Sequence, residues 1–181
     1  MRLRLATPDD AGAIAAIYRP YVSDSIVSFE AEPPDEAEMQ SRMAGGGHLY
    51  PWLVASDEAN RPVGYAYASA FRARSAYRFT VETSVYLAAG MQGRGIGELL
   101  YRRLLTLLER QGFAQAIGAI SLPNPGSVRL HEKLGFASAG QYRDVGYKLD
   151  GWRSVGLWQR ALAPRSDPPA EPRPFAEFWE E

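Results

Sequence analysis

Thr80-Val-Glu-Thr-Ser-Val-Tyr-Leu-Ala-Ala-Gly90-Met-Gln-Gly-Arg-Gly-Ile-Gly97 is the stretch on which the reading of this chain turns. β-Branched and aromatic residues fill its first half, so Phe79 to Ala88 is predicted as a strand. Glycines punctuate the second half. Beyond them Ile96, Leu99, Leu100, Leu104, Leu107 and Leu108 recur at helical spacing until Gly112, where a long helix should stop. A strand that passes through a glycine-rich turn into a helix aims free backbone N–H groups and the positive end of the helix dipole at one point, which makes an anion site. Glycine at 93, 95 and 97 lets the main chain approach a phosphate closely. Two phosphate-binding motifs fail on spacing. A Walker A loop needs Lys-Ser or Lys-Thr after its glycines, and none follows here. A dinucleotide fingerprint would place glycine at 98, where Glu98 stands, and would follow the first strand of a βαβ unit rather than lie in mid-chain. The plain alternative is a turn that only starts a helix.

Working outward, Arg2 to Ala6 is a short strand, and Thr7-Pro8-Asp9-Asp10 supplies capping oxygens and an early proline before Ile14, Ile17, Tyr18 and Tyr21. A weaker second helix opens at Pro33-Pro34-Asp35-Glu36 and should end in Gly45-Gly46-Gly47. Trp52 to Ala55 and Val63 to Ser69 read as an antiparallel hairpin. After the long helix come a strand at Gln115 to Ser121, a short helix from Ser127 to Leu134 closed by Gly135, and strands at Phe136 to Arg143 and Trp152 to Arg160. These elements occupy residues 1–163, read as one domain. Residues 164–181 read as a proline-rich tail, with five prolines between Pro164 and Pro174 and with Phe175, Phe178 and Trp179 as packing or interface material.

Composition narrows the function. The 181 residues are 46% hydrophobic, 23% charged and 12% aromatic, with 20 basic against 21 acidic side chains, as expected of one soluble domain. A net charge of -1 argues against nucleic acid as partner. No apolar run is long enough to span a membrane and the first residues lack a signal-peptide core, so a cytoplasmic protein is expected. Cysteine is absent and His48 and His131 are the only histidines, which leaves no thiolate nucleophile and makes a metal centre an unpromising reading.

Gln92-Gly-Arg-Gly-Ile-Gly97, at the end of a strand, resembles the acetyl-CoA pyrophosphate loop of the GNAT acetyltransferase superfamily. Asn124, the helix from Ser127, and Glu132-Lys-Leu-Gly-Phe136 resemble its second CoA-contacting segment. More narrowly, Tyr50-Pro-Trp-Leu-Val-Ala55, Ala73-Arg-Ser-Ala-Tyr77, Thr80-Val-Glu-Thr-Ser-Val-Tyr86, Leu130-His-Glu132 and Gly146-Tyr-Lys-Leu-Asp-Gly-Trp152 resemble phosphinothricin N-acetyltransferases, over about residues 1–163. The resemblance implies an α/β (α+β) fold: a mixed, mostly antiparallel central sheet flanked by helices, with two central strands splayed to admit CoA. It also implies a homodimer and transfer of acetyl from acetyl-CoA, with no metal, to the α-amine of phosphinothricin, methionine sulfoximine, methionine sulfone or a similar small amino acid. Herbicide resistance is the expected consequence of the first of these.

The chemistry sets the roles. An α-amine with a pKa of roughly 8 is mostly protonated at neutral pH, so acetylation needs a proton acceptor. Glu82 is an unexpected carboxylate in an apolar strand, and the resemblance aligns it with the catalytic glutamate. The other reading makes it an exposed strand residue or the ion-pair partner of Arg78. His131 stands where many relatives carry a tyrosine that protonates the leaving thiolate; it could donate, relay a proton, orient the substrate, or simply be a core histidine. Resemblance places CoA at Val85, Tyr86 and Leu87, at Gln92, Gly93, Arg94, Gly95, Ile96, Gly97 and Glu98, and at Asn124 and Lys133. A backbone N–H near Val85 to Leu87 should serve the oxyanion. Arg72 and Arg74, with Ser75, Ala76 and Tyr77, are the candidate substrate contacts, and a loop this rich in arginine disfavours a polycationic acceptor. Other amines, or an idle CoA-binding sensor, are the alternatives.

Overall fold

Strand β1 (Arg2–Leu5) leads into helices α1 (Ala11–Ser23) and α2 (Glu36–Gly45), then β2 (Trp52–Ser56), β3 (Pro62–Ala70) and β4 (Thr80–Leu87). Helix α3 (Ile96–Gln111), β5 (Gln115–Leu122), α4 (Pro125–Lys133), β6 (Ala137–Tyr147) and β7 (Trp152–Ala161) complete the domain. The computed structural model describes residues 1–163 and 166–180. Among these, seven strands form one sheet in the order β1-β2-β3-β4-β5-β7-β6. Only β4 and β5 run parallel; the other neighbours are antiparallel. This is the mixed, mostly antiparallel sheet flanked by helices that the motifs imply.

Helix ends follow their residues. Asp35 caps α2 by accepting the Glu38 N–H at 2.8 Å, and Asn124 caps α4 by accepting the Ser127 N–H at 3.1 Å. Gly112 ends α3 at φ 95°, a conformation that costs glycine little.

The two faces of the sheet carry separate cores. On one, α3 buries Leu100, Leu104, Leu105 and Leu108 against Leu53, Ala66, Val81 and Ala116, each large apolar side chain contributing about 1.5–3 kcal/mol. On the other, α1 and α2 bury Ile14, Ile17, Tyr18 and Met39 against Trp52, Val54 and Tyr65.

Three expectations change. Leu99 is exposed, because it falls outside the buried stripe of α3, which Tyr101 and Leu105 complete instead. The penultimate strand is longer than Phe136 to Arg143: β6 runs to Tyr147, with an irregular register against β7 between Tyr142 and Gly146. Phe175, Phe178 and Trp179, read as packing or interface material on a tail, pack partly buried on the α3 side of this chain's own core, and the Phe175 N–H donates to the His48 carbonyl at 3.0 Å. Their apolar area is better removed from water there than left on a tail. The start of the tail, Pro164 and Arg165, lies outside the described residues.

Candidate active site

β4 and β5 are paired only from Thr80↔Gln115 to Glu82↔Ile117, although β4 continues to Leu87 and β5 to Leu122. Beyond Glu82 the strands part, so the backbone of β4 from Thr83 onward has no strand partner on that edge. The expected splay is present, and Glu82 stands at its fork.

Glu82 is half-buried on the face that also carries Tyr67, Ser69 and Ser84, with Ser69 directly across from it on β3. Burial raises its pKa, and the charge of Arg72 opposes the rise. Arg78 does not pair with it: that guanidinium binds the Glu171 carboxylate at 2.7 Å, since the tail passes beside the 75–78 turn. Arg72 donates to the Tyr142 hydroxyl at 3.3 Å, linking the loop before β4 to β6. Arg74, Ser75, Ala76 and Tyr77 form an exposed single-turn 3-10 segment.

The opposite face of the fork is closed by a buried chain of hydrogen bonds. The Tyr101 hydroxyl from α3 lies 2.6 Å from Thr83 Oγ1 and 3.0 Å from His131 Nε2. His131 Nδ1 lies 2.8 Å from the Ser127 carbonyl, which can only accept, so Nδ1 carries the proton and Nε2 accepts from Tyr101. Burial lowers the imidazole pKa and keeps it neutral. The ring fits only because residue 118 is glycine: a Cβ there would lie 2.4 Å from His131 Nε2. His131 is thus 4% exposed with both nitrogens engaged.

A cleft of about 540 Å³ runs from the fork to the glycine turn, lined by Val85, Leu87, Gln92, Gly93, Gly95, Gly97, Glu98, Asn124 and Lys133. Gly93 and Gly95 take φ 74° and 78°, where other residues are strained. α3 starts at Gly95 without a side-chain cap, unlike α2 and α4, so its first-turn N–H groups remain available to a ligand. Lys133 pairs with Glu98 at the rim. This open turn, together with the unpaired edge of β4, fits a pyrophosphate joined to an extended arm; the cleft suits CoA.

Some expected contacts lie elsewhere. The Tyr86 ring points to the other face and packs edge-on against Tyr18 and Tyr21, because neighbouring strand residues alternate sides. Ile96 is buried in the α3 core and Arg94 turns into a separate hollow with Asp57 and Glu58, leaving only their main chains near the cleft. Conversely, Tyr21, Val27, Gly126 and Leu130 line the cleft unforeseen. Tyr21 was legible only as an apolar position of α1; its hydroxyl donates to the Leu87 carbonyl at 2.7 Å and accepts the Leu87 N–H at 3.3 Å. On the Glu82 face a second hollow of about 350 Å³ is lined by Tyr18, Met39, Arg42, Trp52, Tyr65, Tyr67 and Ser69. No cluster of three or more metal-ligating His, Asp or Glu side chains occurs among the described residues, and no helix there is long and apolar enough to cross a membrane.

Comparison with known proteins agrees with this geometry. The profile of the Acetyltransferase (GNAT) family matches residues 14–136. A phosphinothricin N-acetyltransferase from Streptomyces viridochromogenes is 42% identical over 174 residues, covering 96% of this chain and 92% of that protein. An L-methionine sulfoximine/L-methionine sulfone acetyltransferase from Pseudomonas aeruginosa is 34% identical, covering 92% and 98%. The crystal structure of a phosphinothricin acetyltransferase from Sinorhizobium meliloti in complex with acetyl-CoA superposes with a TM-score of 0.85 at 42% identity, covering 90% of this chain and 88% of that one. With a forked sheet, an uncapped glycine turn and these matches in agreement, the chain belongs to the GNAT acetyltransferase family.

Proposed function

We propose that this enzyme acetylates the α-amine of a small amino acid or analogue, such as phosphinothricin, methionine sulfoximine or methionine sulfone, with Glu82 as general base. The observation that carries the proposal is the position of Glu82: a half-buried carboxylate at the last paired position before β4 and β5 part, across from Ser69, which lines the aromatic hollow, and three residues before Val85, which lines the cleft. Acetyl-CoA brings the activated acyl group; the protein's part is placement and proton management. Val85, Leu87, the 92–98 turn, Asn124 and Lys133 would hold the CoA, the turn through main-chain N–H groups. Arg72, at the mouth on the Glu82 side, would hold the acceptor's carboxylate, with the 74–77 turn flanking it. The hollow of about 350 Å³ has room for an amino acid side chain. Among the roles open to His131, its neutral and doubly bonded state supports orientation or relay through Tyr101 over direct donation to sulfur.

We also propose a homodimer working in the cytoplasm, where acetyl-CoA and free amino acids meet. The support for a second subunit is the exposure of Tyr142, Val145, Tyr147, Leu149 and Trp152 on the β6–β7 hairpin. Sedimentation at micromolar concentration should give twice the chain mass, and Trp152→Glu should halve it.

The deciding assay is release of CoA thiol from acetyl-CoA against L-phosphinothricin, L-methionine sulfoximine, L-methionine sulfone, L-methionine and spermidine. Saturable release with the first three, reduced about 100-fold or more in Glu82→Gln with CoA affinity retained, is the expected result. CoA binding without release on any amine would replace this reading with that of a sensor.

A further inference from the structure

The connection between α1 and α2, residues 24–35, has no regular secondary structure, yet it touches both halves of the site, directly at the cleft and through Tyr18 and Arg42 at the hollow. Val27 lines the CoA-sized cleft. Three residues on, the Glu30 carboxylate accepts the Tyr18 hydroxyl at 2.9 Å and both ends of the Arg42 guanidinium at 2.8 and 3.0 Å, at the edge of the aromatic hollow. Within the strap, Ser25 and Ser28 supply short-range bonds to the main chain, which shape turns but do not fix where the strap lies.

The far end of the chain adds to the ties that Ser28 and Glu30 make to Tyr18 and Arg42. Lys148, just after β6, reaches across with its Nζ 2.6 Å from the Val22 carbonyl, 2.7 Å from that of Ser28 and 2.9 Å from that of Glu30. An ammonium group has three hydrogens and here each has its own acceptor. The carbonyls belong to residues separated in sequence, so one cation sets the curvature of the whole strap. A second contact assists: the Phe29 ring lies on Gly146, where a Cβ would come within 2.3 Å of it. Both hairpin residues fall in the Gly146-to-Trp152 motif.

We propose that Lys148 is a positioning residue for the acceptor: by gathering the carbonyls of Val22, Ser28 and Glu30 it holds the 24–35 strap in the shape that sets Glu30 against Tyr18 and Arg42 at the aromatic hollow. The proposal rests on the amino acid acetyltransferase reading above. Lysine suits the task because its three hydrogens diverge from a single nitrogen, whereas the planar fork of arginine cannot meet the same three oxygens.

The test compares the full-length wild type with Lys148→Met, similar in length but without donors, and with Lys148→Arg, which keeps the charge. Hydrogen exchange is read residue by residue, and KM and kcat are read for acceptor and acetyl-CoA. In Lys148→Met, exchange within 24–35 should quicken at least tenfold while α3 is unchanged. Acceptor KM should rise tenfold or more, with kcat and the acetyl-CoA KM within about threefold of wild type. Lys148→Arg should recover part of both effects. Unchanged exchange in the strap, or a loosened strap with an unchanged acceptor KM, overturns the proposal. So does exchange that quickens throughout the chain, which would make Lys148 a general anchor, or full recovery by arginine, which would make charge alone sufficient. If the wild type acetylates none of the amino acids, the parent reading has failed instead, and the exchange data still decide whether Lys148 fastens the strap.

Discussion

A carboxylate at the fork of the sheet carries two opposite consequences. Because burial raises the pKa of Glu82, the folded state holds its proton to higher pH than the unfolded chain does. Stability contributed by that proton is present below the ordinary carboxylate range and is lost as pH rises through the folded value. Glu82→Gln should therefore melt higher than wild type at pH 7.5 and lose that advantage near pH 4. The same variant should lose most of its turnover, and its deficit should shrink as pH approaches the pKa of the acceptor amine. In the wild type, kcat/KM should rise with pH through a value above the ordinary carboxylate range. A second residue-level consequence lies behind the fork. Tyr101→Phe leaves buried His131 Nε2 without its partner, while Thr83 Oγ1 keeps the Ile117 carbonyl, which should cost about 1–3 kcal/mol by urea denaturation.

Among the elements, the turn into α3 and the parting of β4 from β5 act together. The turn needs Gly95 at φ 78° and the fork needs β4 to stop pairing after Glu82. A β-branched side chain in the left-handed region costs about 1–2 kcal/mol, and the helix start would shift to avoid it. Gly95→Val should weaken CoA binding tenfold or more by calorimetry while the far-ultraviolet circular dichroism stays that of the wild type. Unaltered affinity would exclude the turn as the pyrophosphate site. α3 itself is insulated from that change by its buried leucines, which begin at Leu100, more than a turn beyond the glycine.

For the whole molecule, the C-terminal segment is structural. Phe175, Phe178 and Trp179 cover the α3 core, Arg103 lies 4.6 Å over the Trp179 ring, and the Gln111 side chain donates to the carbonyls of Leu49 and Arg173 at 2.9 and 2.8 Å. Removing residues 164–181 uncovers that surface. With three partly buried aromatic side chains, the loss should be about 3 kcal/mol and the fall in melting temperature roughly 10 °C. The fork proposed to be catalytic lies on other elements, so kcat at 20 °C should change little in the truncated chain.

What the sequence determined by itself was local: the glycine turn at 90–97, the helix behind it, the hairpin of β2 and β3, and the oddity of a glutamate in an apolar strand. Periodicity reports which side of an element avoids water, and turn residues report where the chain bends. The family motifs added which residues to gather. Neither source tells what covers an apolar face or which distant backbone a long side chain will reach. That Leu99 is exposed, that the tail folds back on α3, that Tyr21 holds Leu87, and that Lys148 fastens the strap were decided only in tertiary structure. Each depends on elements far apart in the chain meeting at one place, and the free energy that selects such a meeting is shared among all of them.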